Sequence, residues 1–186
     1  MQKGQYLLIL LVFCLLNLNL KAQKPLIDHI YAADPSAHVW QDNSNTLWLY
    51  TSHDVNGTNH HSTMFDYHVF STQDMEKWID HGRVLSVDDV DWAISHAWAA
   101  DAAYWKGNYY FVFCMRTKKA SNFSIGLAIS DRPEGPFKSI GQIKGIEHGM
   151  DPSLFIDDDN QPYLLFAHDR TCYMGKLSED LLTVHD

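Results

Sequence analysis

Positive charge is scarce in this sequence. Lys and Arg total 14 against 23 Asp and Glu, a formal net charge of −9 over 186 residues. That balance argues against electrostatic binding to nucleic acid or to an anionic lipid surface. Long apolar runs are scarce too. Leu7 to Leu16 is the longest, and ten residues at about 1.5 Å each cover only half of a hydrocarbon core of about 30 Å. No membrane span is expected. Helical periodicity is rare after residue 30, and cysteine is limited to Cys14, Cys114 and Cys172. Aromatic residues, by contrast, reach 13%, with six Trp and nine Tyr. Trp and Tyr gather where flat apolar faces meet polar ligands, and sugars are such ligands. The remaining composition, 46% hydrophobic and 20% charged, is that of a globular chain and argues against disorder, collagen or a coiled coil. The length suits one domain or part of a larger one.

The first residues read as a targeting segment. Lys3 precedes the apolar run, and Asn17 and Asn19 interrupt its end. This is the pattern of a secretory signal peptide over residues 1–22, cut after Ala22, with residues 23–186 exported to the periplasm or the medium. Leu20 makes the cut site imperfect, because a small residue is usual there. Leu11-Val12-Phe13 lacks the small residues that lipid attachment at Cys14 would need. An N-terminal core helix is the alternative. Without the leader the chain keeps 12 basic and 23 acidic residues, a net −11. It also keeps Cys114 and Cys172, which could pair in an oxidising compartment or stay as two separate thiols.

After residue 30, short runs of Val, Ile, Tyr, Phe and Trp alternate with Gly, Asp, Asn and Pro, a grammar of strands and turns. Three segments share one internal order. The first runs from Asp34-Pro35-Ser36 through Trp40 and a polar turn into Leu47-Trp48-Leu49-Tyr50. The second runs from Asp101 through Trp105 and Lys106-Gly107-Asn108 into Tyr109-Tyr110-Phe111-Val112-Phe113. The third runs from Asp151-Pro152-Ser153 through Ile156 and Asp157 to Gln161 into Tyr163-Leu164-Leu165-Phe166. Third strands follow at Tyr67–Ser71, Ile125–Ser130 and Tyr173–Ser178, and Trp78 and Phe137 open fourth strands in the first two units. Four strands per unit of roughly 50 residues is the signature of propeller blades. The expected fold is all-β: an incomplete β-propeller of about two and three-quarter blades. The three units align on Asp34, Asp101 and Asp151.

Four motifs in this order resemble glycoside hydrolase family 43. They are Ala33-Asp34-Pro35-Ser36; Trp98-Ala99-Ala100-Asp101; Ser130-Asp131-Arg132-Pro133-Glu134-Gly135-Pro136-Phe137; and Met150-Asp151-Pro152-Ser153-Leu154-Phe155-Ile156-Asp157-Asp158-Asp159. The resemblance covers essentially everything after Lys24. It implies a five-bladed propeller that hydrolyses β-xylosides or α-L-arabinofuranosides with inversion, on a polysaccharide such as xylan, arabinoxylan or arabinan. It implies that Asp34 is the general base and that Asp151 tunes the pKa of the general acid. The acid itself, a glutamate in the next blade, is expected beyond residue 186, since none of Glu76, Glu134, Glu147 or Glu179 lies in the matching motif. These 186 residues alone are therefore expected to be nearly inactive. Trp98 matches a substrate-lining Trp. Asp101 would contact substrate or hydrogen-bond backbone at the channel mouth, and the residues themselves lean to the second. Ala100 replaces the family's Pro, and Met150 stands where many members place an aromatic residue or Ile.

The chemistry suits these residue types. First strands line the axis of a propeller, so aspartates at equivalent positions of different blades converge. Inversion needs one carboxylate to activate water and one carboxylic acid to protonate the leaving oxygen, about 6.5–9.5 Å apart. A third carboxylate nearby raises the pKa of the acid. The proline after each aspartate restricts it to extended backbone, which aims the carboxylate. A plain Asp-Pro turn is the structural alternative.

No metal or cofactor is expected. Asp157-Asp158-Asp159-Asn160-Gln161 lacks the Gly and Glu of a calcium loop, and reads as a solvated turn. His53, His60, His61 and His68 read as surface histidines around the flexible stretch Asn56-Gly57-Thr58-Asn59. A propeller that binds carbohydrate without cleaving it is the alternative function. A fructan-active relative is disfavoured, since Ala33-Asp34-Pro35-Ser36 departs from its Asn-Asp-Pro-Asn-Gly pattern.

Overall fold

The computed structural model describes residues 24–43, 45–55, 61–118 and 122–185. The expected leader, Cys14, His60 and the stretch Asn56-Gly57-Thr58-Asn59 lie outside these residues. Twelve strands form three four-stranded sheets. The first contains β1 (Tyr31–Val39), β2 (Leu47–Asp54), β3 (Asp66–Thr72) and β4 (Ile79–Ser86). The second contains β5 (Ala93–Trp105), β6 (Asn108–Thr117), β7 (Phe123–Ser130) and β8 (Lys138–Gln142). The third contains β9 (Met150–Ile156), β10 (Pro162–His168), β11 (Thr171–Leu177) and β12 (Val184–His185). Each sheet is an antiparallel meander whose neighbours in sequence are neighbours in space. The strand pattern read from the sequence is present throughout. The third sheet adds a two-residue fourth strand where the sequence reading stopped at three.

The sheets stack face to face, as blades do, and alternation along β6 explains the packing. Tyr109, Phe111, Phe113 and Met115 point into the core shared with the first sheet, beside Tyr50, Tyr67 and Val69. Val112 and Cys114 point the other way, into the core shared with the third sheet, beside Leu154, Leu164 and Phe166. A strand buried on both faces must be apolar at nearly every position, which is why Tyr109 to Met115 is one unbroken apolar run. Phe111 and Phe113 are fully buried, each burial stabilising the fold by about 1.5–3 kcal/mol.

The innermost strands carry the same irregularity in each sheet. In β1, Ala33 pairs with Ser52 and Ser36 with Tyr50, three steps against two. In β5, Trp98 pairs with Cys114 and Asp101 with Val112. In β9, Met150 pairs with Ala167 and Ser153 with Leu165. Each is a β-bulge. The bulges fall at Asp34-Pro35, Ala99-Ala100 and Asp151-Pro152. The register thus corrects the alignment of the repeats. Asp101 is level with Ser36 and Ser153, and the residue level with Asp34 and Asp151 in the second sheet is Ala99.

That offset of two residues lets Asp101 act as a clamp. Its Oδ1 accepts hydrogen bonds from Ser36 Oγ and, at 2.7 Å, from His38 Nε2 in β1. Its Oδ2 accepts from Ser153 Oγ at 2.7 Å and from the Leu154 backbone N–H at 3.1 Å in β9. One buried carboxylate thereby joins the inner strands of all three sheets. Trp40 stacks on His38 at 4.5 Å and fixes the ring that donates. Burial acts to raise the Asp101 pKa, but the hydrogen bonds from His38, Ser36 and Ser153 outweigh it, and the net direction is down.

Removing the carboxylate should orphan these donors together. Asp101→Ala is expected to cost about 1–3 kcal/mol in urea unfolding, the range for buried donors left without an acceptor. Because the folded-state pKa is depressed, the contribution is present above the unfolded value of about 3.9 and is lost as pH falls through the folded value. The gap between wild type and variant should therefore be full at neutral pH and narrow below about pH 4. A gap near zero at neutral pH would show that Asp101 is not a clamp.

Candidate active site

Asp34 and Asp151 occupy equivalent bulges on β1 and β9, and both have φ of +49°. This corrects the expectation of extended backbone before proline. The bulge inserts a residue without a partner and turns it. Proline excludes the right-handed helical region for the residue before it, and aspartate is among the few residues that tolerate positive φ. The carboxylates are aimed by this turn. Ser52, across the ladder from β1, donates to the Ala33 carbonyl at 3.1 Å and lies 3.4 Å from Asp34 Oδ2.

The two aspartates are within electrostatic reach of each other. Partial desolvation raises the Asp151 pKa first, and the negative charge of Asp34 raises it further. The buried thiol of Cys114 lies under the same spot. Its pKa is pushed up to about 12 by burial, with the charges of Asp151 and Asp34 adding to the rise. Cys114 Sγ lies 3.7 Å from the Ala99 carbonyl, and Tyr67 donates to the Cys114 carbonyl at 3.1 Å. Burial, Cys114 and Asp34 together raise the Tyr67 pKa. Tyr67, Cys114 and Ala99 lie together, and the charges of Asp34 and Asp151, from the two flanking sheets, both reach Cys114. At the middle bulge Ala99 presents only a methyl group.

Beside Asp151 a recess of about 370 Å³ is lined by Phe123, His148, Met150 and His168. His148 and His168 stack at 5.6 Å. Trp98 is half-buried and stacks on Phe123 at 4.5 Å, so its ring links the core to this side of the pit. Phe123 and His148 escaped the sequence reading, since neither lies in a motif. Gly149 beside them admits the close approach of Ile125, since a Cβ there would lie 2.6 Å from Ile125 Cδ1. Asp101 faces inward instead. It is buried, and its oxygens are engaged by Ser36, His38, Ser153 and Leu154, which ties the inner strands together. Among the described residues the glutamates lie elsewhere. Glu134 faces Arg132, Glu179 pairs with Lys106, Glu147 lines a separate recess with Trp92 and Lys118, and Glu76 sits in the turn between β3 and β4.

Cys114 is buried, Cys172 is exposed, and both are free thiols. Asp157 to Gln161 is a turn closed by the Asn160 and Asp157 backbones and by the Asp157 and Asp159 side chains. His53 and His68 are not plain surface histidines. They meet Asp66 in a half-buried group, and burial holds the His68 pKa below its usual range.

The model for glycosyl hydrolases family 43 matches residues 23–186. Xylosidase/arabinosidase 43A of Humicola insolens is 43% identical over 153 residues, 77% of this chain and 45% of that protein. A xylosidase/arabinosidase of Bacteroides ovatus is 36% identical over 146 residues, 74% of this chain and 43% of that protein. A β-xylosidase/α-arabinofuranosidase from a compost metagenome, solved with xylotriose, superposes with a TM-score of 0.76 at 33% identity, covering 89% of this chain and 60% of that one. The chain thus spans about half the length of the curated relatives it matches.

A raised carboxyl pKa means that the folded state is penalised when Asp151 ionises. The penalty is full above the folded pKa and absent below the unfolded one of about 3.9. Asp151→Asn should therefore raise the melting temperature at neutral pH, with the gain disappearing near pH 3. Lower stability at neutral pH would contradict the coupling.

Proposed function

Since the chain belongs to glycosyl hydrolases family 43 and has that family's five-bladed β-propeller architecture in part, we propose that the protein hydrolyses O-glycosidic bonds in plant hemicellulose, releasing xylose or arabinose units with inversion at the anomeric carbon. The observation that carries this reading is the placement of Asp34 and Asp151 on equivalent bulges of flanking sheets, near enough for the charge of Asp34 to act on Asp151. Asp34, exposed at its bulge and steadied by Ser52, acts as the general base on water. Asp151 is given the other role, since its negative charge is suited to keeping a neighbouring carboxylic acid protonated. That acid is a glutamate supplied from beyond residue 186. Trp98, backed by Phe123, offers an aromatic face to the sugar, and the His148–His168 recess continues the surface on the Asp151 side. Substrate is a xylan, arabinoxylan or arabinan chain or its oligosaccharides. The leader-like start, Lys3 followed by Leu7 to Leu16, would deliver the protein to where such polymers are met.

The experiment is kinetics on nitrophenyl β-xyloside and α-L-arabinofuranoside with the full-length protein, with the product anomer read by NMR. Asp34→Asn should lower kcat by about 10²–10⁴ with little change in KM. Asp151→Asn removes a negative charge beside the acid, so the acid's pKa falls and the alkaline limb of the pH–rate profile moves to lower pH. Oligosaccharide binding without turnover in wild type would favour a binding propeller instead. A retained anomer would refute inversion.

A further inference from the structure

The face of the first sheet turned away from the second carries a group that the glycosidase reading does not use. Side chains alternate along β2, so Ser52 points to the Asp34 side and His53 to the opposite face. On β3, Asp66 and His68 share that opposite face with Phe70. His53 Nδ1 lies 2.7 Å from Asp66 Oδ1. His68 Nε2 lies 3.9 Å from the same oxygen. The His53 and His68 rings are 4.8 Å apart between centroids. One donor atom from each of the three residues falls within 4.8 Å of the others.

A second layer stands behind the first. His68 Nδ1 is buried, lies 3.5 Å from Asp80 Oδ1 on β4, and makes no aligned hydrogen bond. Asp80 is itself held by His29 Nε2 at 2.6 Å and by the Gly82 backbone N–H at 2.7 Å. The far nitrogen of a metal-binding histidine is characteristically turned toward a fixed carboxylate, which sets its tautomer and orientation. A plain surface ion pair requires no such second carboxylate braced by a further histidine.

We propose that His53 Nδ1, Asp66 and His68 Nε2 bind a divalent transition cation of the zinc class, oriented by Asp80 and His29. Two imidazoles and one carboxylate suit Zn²⁺ or Co²⁺ and disfavour Ca²⁺ and Mg²⁺, which take oxygen ligands. Bonds of about 2.0–2.1 Å put donors about 3.3 Å apart around such an ion, so small side-chain rotations bring the three together. In binding, the metal displaces the proton between His53 and Asp66, which is released to solvent. A water completes the shell. The ion would fasten β2 to β3 and, through Asp80 and His29, to β4 and to the segment before β1. It would lie across the sheet from Asp34 and outside the catalytic pit.

The test uses chelator-stripped full-length protein titrated with Zn²⁺ by calorimetry and with Co²⁺ by visible absorption. Wild type should take up one ion tighter than micromolar. It should give the Co²⁺ spectrum of a low-coordinate nitrogen–oxygen site, and its melting temperature should rise with Zn²⁺. His53→Gln should lose this binding event. Asp80→Asn keeps all three ligands and should weaken it by about 10–100-fold, which serves if His53→Gln fails to fold. Binding undiminished in both variants, no binding tighter than micromolar in wild type, or displacement of Zn²⁺ by an equal concentration of Ca²⁺ would each overturn the proposal.

Discussion

The carboxylate of Asp101 receives hydrogen bonds from β1 and β9 at once, and the placement of both candidate catalytic groups follows from that. Asp34 and Asp151 sit at positive φ, a conformation that costs a residue other than glycine about 1–3 kcal/mol. Nothing in an isolated strand would hold it. Two residues further along each strand, Ser36 and Ser153 are tied to Asp101, so the end of each bulge is pinned. The strain is held by a buried charge with its donors satisfied, and the two aspartates are kept at equivalent register positions of the flanking sheets. Positioning is thereby separated from chemistry: Asp101 is withdrawn from solvent to hold the frame, while Asp34 and Asp151 remain open to the pit.

The middle sheet makes this possible because it is apolar on both faces. Its β6 strand divides its side chains between two cores, Phe111 and Phe113 on one side and Val112 and Cys114 on the other. At the bulge level it contributes Ala99, which stays out of the way, and at the next level it contributes the clamp. Three sheets with one repeat thus serve unlike roles through changes at two positions per inner strand. The face of the first sheet turned away from the second, freed from that geometry, gathers a histidine and aspartate group of its own.

Much of this was legible in the sequence, because it depends on local pattern. Aromatic runs bounded by Gly, Asp and Asn located the strands, and repetition of Asp-Pro-Ser marked equivalent points on β1 and β9, though not that they are bulges. The alignment of Asp101 with the other two aspartates went wrong because the middle unit has no Asp-Pro. Only the ladder register reveals that Trp98-Ala99-Ala100-Asp101 matches Ala33-Asp34-Pro35-Ser36 residue for residue. The positive φ was hidden because the rule for residues before proline excludes one region without choosing between the others. Phe123, His148 and the meeting of His53 with His68 depend on which faces point together across strands, and spacing along the chain carries no record of that.

The proposed chemistry requires that Asp34 and Asp151 face one site and feel each other's charge. The most direct measurement is an NMR titration of the Asp151 side-chain carboxyl in full-length protein, wild type against Asp34→Asn. A carboxyl pKa above the ordinary aspartate value in wild type, falling when the Asp34 charge is removed, is the predicted result. The same value in both proteins would mean that the two carboxylates do not face one substrate, and would contradict the account.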